Sequence, residues 1–149
     1  MLTAGCGAVD DLLDDEKQSP ESGSESESPD EELITAALAD QERLLATCLG
    51  VRARHKSTRQ TLAPIVEHHR EHIRVLGGEP SNQRDRSRIP SAPGKALRAL
   101  RQKEAAAAKR RASNAQQAEA GELARVLAAI AASQRQHEYV LDAAIRGGQ

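Results

Sequence analysis

Apolar side chains recur at every third or fourth position in four long segments of the chain, which is the period of an amphipathic α-helix. The segments cover about residues 31–55, 58–76, 94–118 and 121–146. Gly77-Gly78 follows the second segment, and Gly147-Gly148 follows the fourth. Because glycine is common directly after the last turn of a helix, these pairs mark helix ends. The pattern therefore predicts an all-α fold with four helices.

The connections between these segments predict how the helices pair. The first helix is joined to the second, and the third to the fourth, by short connections that are typical of antiparallel hairpins. About 16 residues separate the second helix from the third, and they include Pro80 and Pro90. Such a loop spans about 50 Å when extended, whereas a helix of about 25 residues is about 38 Å long. We therefore expect a four-helix bundle of two hairpins joined by a long crossover loop.

The composition narrows the fold and excludes some functions. Ala supplies 26 of the 57 hydrophobic residues, Ile and Val together supply 12, and Trp and Phe are absent. Sheets favour β-branched and aromatic residues, so a helical bundle with a thin, alanine-rich core remains. The net charge of −1 gives no general attraction to nucleic acid, and one Tyr is too few for a base-stacking platform. We expect no nucleic-acid partner.

The N-terminal residues Leu2-Thr3-Ala4-Gly5-Cys6 resemble the lipobox of bacterial lipoproteins, in which the Cys thiol is lipidated. We therefore interpret residues 1–6 as the remnant of a signal peptide and Cys6 as the lipidation site. Residues 7–30 are rich in Ser, Asp and Glu and bury too little apolar surface to offset the entropy of ordering, so they are predicted to be a disordered linker. The bundle would occupy 31–146. This layout predicts an extracytoplasmic domain anchored to the outer face of the bacterial cell membrane.

Polar side chains interrupt the predicted apolar face of every helix. They are Glu42 on the first helix, His69 and His72 on the second, Glu104 on the third, and Gln134 and His137 on the fourth. At a rise of about 1.5 Å per residue, all of them fall within about two turns of the same level of the bundle. A carboxylate buried without a partner is costly, so histidine hydrogen bonds or a metal ion should neutralise Glu42 and Glu104.

This set of residues resembles the ligands of ferritin-like di-iron and di-manganese proteins, in which two helices supply a Glu and two supply a Glu-x-x-His motif. The stretches EHHREHIRVLG and ELARVLAAIAASQRQHEYVL are similar to the small ferritin-like domains of uncharacterised surface lipoproteins of actinobacterial type. The resemblance implies a ferritin-like bundle. It also implies that Glu42 and Glu104 are carboxylate ligands and that His72 and His137 are histidine ligands.

The chain departs from this family at the two Glu positions of the motifs, where it has His69 and Gln134. The carboxylates that bridge two cations about 3.5–4 Å apart are therefore missing, which disfavours a di-iron centre. Two carboxylates and three imidazoles, including His69, suit a single Zn²⁺, Fe²⁺ or Cu²⁺ ion.

Two functions are compatible with these residues. In the first, the protein is a membrane-tethered, non-catalytic binding or structural module, and Gln134 belongs to a buried hydrogen-bond network that replaces the metal. In the second, it binds one Zn or Fe ion for storage or sensing at the cell surface. No nucleophile–base pair, phosphate-binding loop or Cys-x-x-Cys motif indicates an enzyme. The pattern identifies no protein partner and is compatible with both a monomer and a homodimer.

Three further residues carry expectations. Cys48 is predicted to be a core residue, and His68 is predicted to be solvated on the flank of the second helix. Arg111 falls on the apolar face of the third helix, where its guanidinium either reaches the end of the bundle or pairs with a buried carboxylate.

Overall fold

The computed structural model describes residues 28–85 and 89–148. Within these residues the chain is all-helical. It forms α1 (Pro29–Arg54), α2 (Arg59–Val75), α3 (Pro93–Gln117) and α4 (Gly121–Gly147), with a single 3-10 turn (Lys56–Thr58) between α1 and α2. The predicted all-α class with four helices is confirmed, and each observed helix begins and ends within two residues of its expected bounds. Cys6 and residues 7–27 of the predicted linker lie outside the described residues.

Local sequence determines where the helices begin and end. The Ser28 hydroxyl accepts a bond from the backbone N–H of Glu31, whose carboxylate accepts one from the backbone N–H of Ser28, so a capping box starts α1 at Pro29. Pro29 and Asp30 thus belong to α1 and not to the predicted linker. At the end of α2, Gly77 has a φ of 85°, and Gly78 donates to the carbonyl of Ile73, which together form a Schellman motif.

The four helices form a bundle. The most extensive helix contacts are between α3 and α4, followed by those between α1 and α2, and contacts of α1 with α3 and of α2 with α4 complete the bundle. The Asp30 carboxylate accepts bonds of 2.9 Å from the backbone N–H groups of Glu119 and Ala120, and this joins the start of α1 to the α3–α4 connection. Among the described residues, no helix is both long and apolar enough to cross a lipid bilayer.

The connection between α2 and α3 runs along α1. It leaves α2 at Gly78, where an added Cβ would lie 2.3 Å from the side chain of Leu38. Further on, the backbone N–H of Asp85 donates to the carbonyl of Ala46 at 3.0 Å, and the carbonyl of Pro90 accepts a bond of 2.9 Å from His55 Nε2. These contacts follow α1 from its N-terminal half to its end. Consequently α3 begins at the end of the bundle where α2 also begins.

The buried apolar side chains form two clusters. The larger one includes Leu45, Val51, Leu62, Ile65, Leu100 and Leu141, and the smaller one consists of Ala37, Leu76, Leu127 and Ile130. The buried Gln41 on α1 and His137 on α4 lie in sequence between residues of the two clusters, and the buried His69 on α2 lies between Val66 and Ile73 of the larger one. A polar layer therefore crosses the middle of the bundle.

Candidate functional site

The polar layer brings together most of the predicted site residues. His69 and His72 lie one turn apart on α2, Glu104 lies on α3 and His137 lies on α4. All four side chains are buried, as the helical pattern predicted. The rings of His69 and His137 have centroids 5.1 Å apart, and those of His69 and His72 have centroids 5.9 Å apart. The side chains therefore face one another inside the bundle.

Glu104 is the centre of this cluster, and its two oxygens have different partners. Oε1 lies 2.8 Å from His69 Nε2, and Oε2 lies 3.4 Å from His137 Nδ1. Burial alone would raise the pKa of Glu104, but hydrogen bonds from His137 and His69 and the charge on those rings outweigh it and lower the pKa to about 2. Glu104 is therefore ionised although it is fully buried.

Glu42 does not join the cluster, so its prediction as an inward-facing ligand is wrong. Its side chain is exposed and lines a surface pocket with Ser81 and Gln83. The preceding residue, Gln41, faces the interior instead, because the buried face of α1 is centred on Ala37, Gln41 and Cys48, with Leu38 at its edge. In a helix of about 3.6 residues per turn, an error of one residue turns a side chain by about 100°.

Gln41 links the two imidazoles of α2. Its Oε1 lies 2.9 Å from Nδ1 of His69 and 3.2 Å from Nδ1 of His72. Both ring nitrogens of His69 thus face oxygens, Oε1 of Gln41 on one side and Oε1 of Glu104 on the other. Burial, followed by the positive charges of the neighbouring rings, lowers the pKa of His72 to about 3, which leaves this imidazole neutral at physiological pH.

Cys48 gives α1 a second side chain at the cluster. It is fully buried among the apolar residues, as predicted for a core position. One donor atom each of Cys48, His69 and Glu104 also lie within 4.8 Å of one another, and the sequence pattern did not predict this. Burial raises the pKa of the Cys48 thiol well above its usual value, and the nearby charge of Glu104 adds to the effect. The thiol therefore keeps its proton unless a cation replaces it.

His68 connects the cluster to the surface. Its Nδ1 lies 3.0 Å from His137 Nε2, and the two rings stack with centroids 5.2 Å apart. His68 is exposed, as predicted for the flank of α2, but its contact with His137 was not predicted. The seam between α2 and α4 is thus lined by imidazole from the solvent to the buried carboxylate.

Gln134 is buried as predicted, yet it does not take part in the hydrogen-bond network. Among the described residues, neither its amide nitrogen nor its amide oxygen has a hydrogen-bond partner. It lies one turn before His137 on the same face of α4. A buried donor or acceptor that stays unpaired costs about 1–3 kcal/mol, so we expect this amide to lower the stability of the bundle.

Three of these side chains could surround one transition-metal ion, namely Cys48, His69 and Glu104, whose donor atoms lie within 4.8 Å of one another. At bond lengths of about 2.0–2.2 Å, two nitrogen or oxygen donors of a tetrahedral ion lie about 3.3–3.5 Å apart. His69 Nε2 lies 2.8 Å from Oε1 of Glu104, and His137 Nδ1 lies 3.4 Å from Oε2, so each imidazole is near this separation but approaches a different oxygen.

A separate ion cluster surrounds Asp40, next to Gln41. Its carboxylate accepts bonds from Arg43, from Arg110 at 2.8 Å and from Arg111 at 3.0 Å. Burial would raise the pKa of Asp40, but the three guanidinium groups lower it. Arg111 is 1% exposed. Of the two placements expected for Arg111, the structure therefore has the pairing with a buried carboxylate.

Comparison with known proteins identifies no relative, since no protein-family model, curated protein or solved structure matches this chain. The resemblance to ferritin-like lipoproteins thus stays a prediction.

Proposed function

We propose that this four-helix bundle is a non-catalytic module that binds one transition-metal ion, Zn²⁺ or Fe²⁺, through Cys48, His69, Glu104 and His137. One observation carries the proposal, namely that imidazoles from two different helices converge on the two oxygens of a fully buried, ionised carboxylate. With Cys48, each of the four helices supplies one donor. Such a mixed nitrogen, sulfur and oxygen set suits Zn²⁺, and imidazole with carboxylate also suits Fe²⁺.

The site favours one ion over two. Within the described residues Glu104 is the only carboxylate of the cluster, because Glu42 lies on the surface. A pair of ions needs bridging ligands to hold the cations about 3.5–4 Å apart. The exposed His68, which contacts His137, gives an ion a route from solvent to the buried donors.

The best alternative is a metal-free structural or binding module. In its favour, both oxygens of Glu104 already accept bonds from histidine, and Gln41 holds His69 and His72. A buried network of this kind fixes the register of the helices without a ligand.

We also propose that the helices are arranged as in ferritin-like proteins and that a lipid on Cys6 holds the domain at the outer face of the bacterial membrane. The first point is supported by the connection that runs along α1, and the second by the sequence of residues 2–6. Metabolic labelling with an alkyne fatty acid in the source bacterium should label the protein and should fail for Cys6→Ala. Equal labelling of both would refute the lipid anchor.

Metal binding is tested with the full chain after dialysis against a chelator. Titration with Zn²⁺, and with Fe²⁺ under anaerobic conditions, should saturate at one ion per chain. His69→Ala/His137→Ala should abolish binding, whereas Glu42→Gln, which alters the exposed residue of the predicted ligand set, should leave it unchanged. Circular dichroism checks that each variant is helical.

A Co²⁺-loaded sample distinguishes the ligands. Cys48→Ser should remove the thiolate-to-metal charge-transfer absorption while the cobalt stays bound by the histidines and Glu104. Absence of binding to the folded wild-type chain would refute the metal proposal and leave the metal-free module.

A further inference from the structure

A surface pocket away from the buried cluster is lined by four arginines. It has a volume of about 440 Å³ and lies between the second half of α1, the outer face of α2 and the following connection. Its polar lining residues are Arg52, Arg59, Arg70, Arg84 and Asn82, and no carboxylate of the described part of the chain lines it. The whole chain has a net charge of −1, so this concentration of positive charge is local.

Most of this charge has no carboxylate partner within residues 28–85 and 89–148. Arg70 pairs with Glu67 at 2.6 Å and donates to the side chain of Asn82 at 2.8 Å. Arg59 donates through Nε to the backbone carbonyl of Arg52 at 3.4 Å, which leaves its terminal nitrogens available. Among the described residues, Arg52, Arg59 and Arg84 form no ion pair with a carboxylate. Like charges that line one pocket repel one another unless an anion lies between them.

The position of α1 explains only part of the arrangement. Arg52 lies in the last turn of α1, where a cation interacts favourably with the helix dipole. Arg59 and Arg70 lie on α2, and Arg84 lies in the connection between α2 and α3. The dipole of α1 therefore does not explain the position of these three arginines. Three segments that are separate in sequence thus contribute guanidinium groups to one concave surface.

We propose that this pocket binds a phosphate-bearing ligand with at least two negative charges. Guanidinium groups present planar pairs of N–H donors that match phosphate oxygens, and Asn82 adds an amide to the same surface. The volume lies within the range of small-molecule sites, about 300–1,000 Å³, and leaves room for more than one phosphoryl group. Either a soluble phosphate compound or an anionic lipid headgroup could supply this chemistry.

The test uses the full chain in chelator-treated buffer without divalent cations, so that metal binding at the buried cluster does not interfere. Isothermal titration with inorganic pyrophosphate should give saturable binding that weakens as salt is raised. The double variant Arg59→Gln/Arg84→Gln should bind at least about tenfold more weakly, because two charge-assisted hydrogen-bond donors are lost. Arg74→Gln is the matched control, since it removes a similarly exposed charge from α2 outside the pocket and should bind like the wild type.

Vesicles identify the source of the phosphate. Co-sedimentation with phosphatidylglycerol vesicles that is competed by pyrophosphate, and absent with phosphatidylcholine vesicles, would indicate a lipid headgroup. Pyrophosphate binding without co-sedimentation would indicate a soluble ligand. If neither probe binds, or if Arg74→Gln weakens binding as much as the double variant, the proposal is overturned. Zinc titration of the double variant reports separately on the buried metal site, which these substitutions leave intact.

Discussion

Asp40→Asn is expected to destabilise the bundle by about 3 kcal/mol, whereas Arg111→Met at the buried partner should leave its stability unchanged or raise it. The asymmetry follows from the surroundings of the two charges. Asp40 contacts three guanidinium groups, two of which, Arg43 and Arg110, have side chains that are 72% and 52% exposed. Arg111 is 1% exposed, and Asp40 is its only ion-pair partner among the described residues.

The change in the free energy of unfolding depends on which charged or polar groups each substitution leaves without a partner. Without the carboxylate, Arg111 is a buried cation with no counter-charge, and breaking a buried pair in this way costs about 3–5 kcal/mol. The isosteric Asn still accepts one hydrogen bond, so the lower end of this range applies. Without Arg111, Asp40 keeps its two other arginines. The substitution also removes Nε and Nη1, two buried donors that have no partner in the described part of the chain, at about 1–3 kcal/mol each.

Urea denaturation of the full chain, followed by the helical circular-dichroism signal, measures both effects. Glu122→Gln at an exposed ion pair with Arg125 is the control and should leave the midpoint unchanged. The double variant Asp40→Asn/Arg111→Met should recover most of the stability lost in Asp40→Asn. If Arg111→Met is as destabilising as Asp40→Asn, the guanidinium is a net contributor to stability and the reasoning fails.

Three further predictions concern the polar layer and the connection. For the metal-free protein, the pKa of His72 is about 3 in the fold against 6.5 in the unfolded chain, and that of Glu104 is about 2 against 4.5. Because the unfolded chain takes up these protons first, the free energy of unfolding should fall as the pH drops from 6.5, by up to about 1.4 kcal/mol per pH unit for each group. In urea titrations, the free energy of unfolding of His72→Gln should depend less on pH above pH 4.5. Gly50→Ala should lower the free energy of unfolding by about 1–3 kcal/mol, because its Cβ would lie 2.1 Å from the carbonyl oxygen of Asp85. An unchanged urea midpoint would show that the connection between α2 and α3 moves aside freely. Gln134→Leu should raise the melting temperature, since it replaces two unpaired buried polar atoms with an apolar side chain of similar size. A lower melting temperature would indicate that the amide has a partner such as buried water.

The helices were predictable because their boundaries depend on local signals. Ser28 and Glu31 cap α1, Gly77 ends α2, and the apolar period continues between such signals. The path of the connection along α1 was only partly predictable. The length of the connection predicted that it runs along the bundle. The close approach of the Asp85 backbone to α1 depends on Gly50, a glycine inside the helix whose role the apolar period does not reveal.

The site was predicted less well because alanine weakens the helical pattern. On α1 the small Ala37 lies on the buried face, but alanine also occurs on the exposed faces of these helices and so does not identify the buried one. The larger Leu38 therefore shifted the predicted buried face toward Glu42. The ion cluster of Asp40 was missed for another reason. Its partners Arg110 and Arg111 lie 70 and 71 residues away, and no local pattern links residues at such separations.

The proton on the Cys48 thiol separates the two candidate functions experimentally. In the metal-free protein Cys48 keeps this proton, because burial raises the pKa of its thiol and the nearby charge of Glu104 adds to the effect. A divalent cation that binds Cys48 as a thiolate, beside His69 and Glu104, must displace the proton. Metal binding to the wild type should therefore release one proton more than metal binding to Cys48→Ser, and this proton makes the affinity of the wild type rise about tenfold per pH unit below the pKa of the thiol. Calorimetry in buffers of different ionisation enthalpy counts the released protons. The same count for both proteins would exclude Cys48 as a thiolate ligand, and no release from either would mean that the ion binds elsewhere and that the metal-free network is the native state.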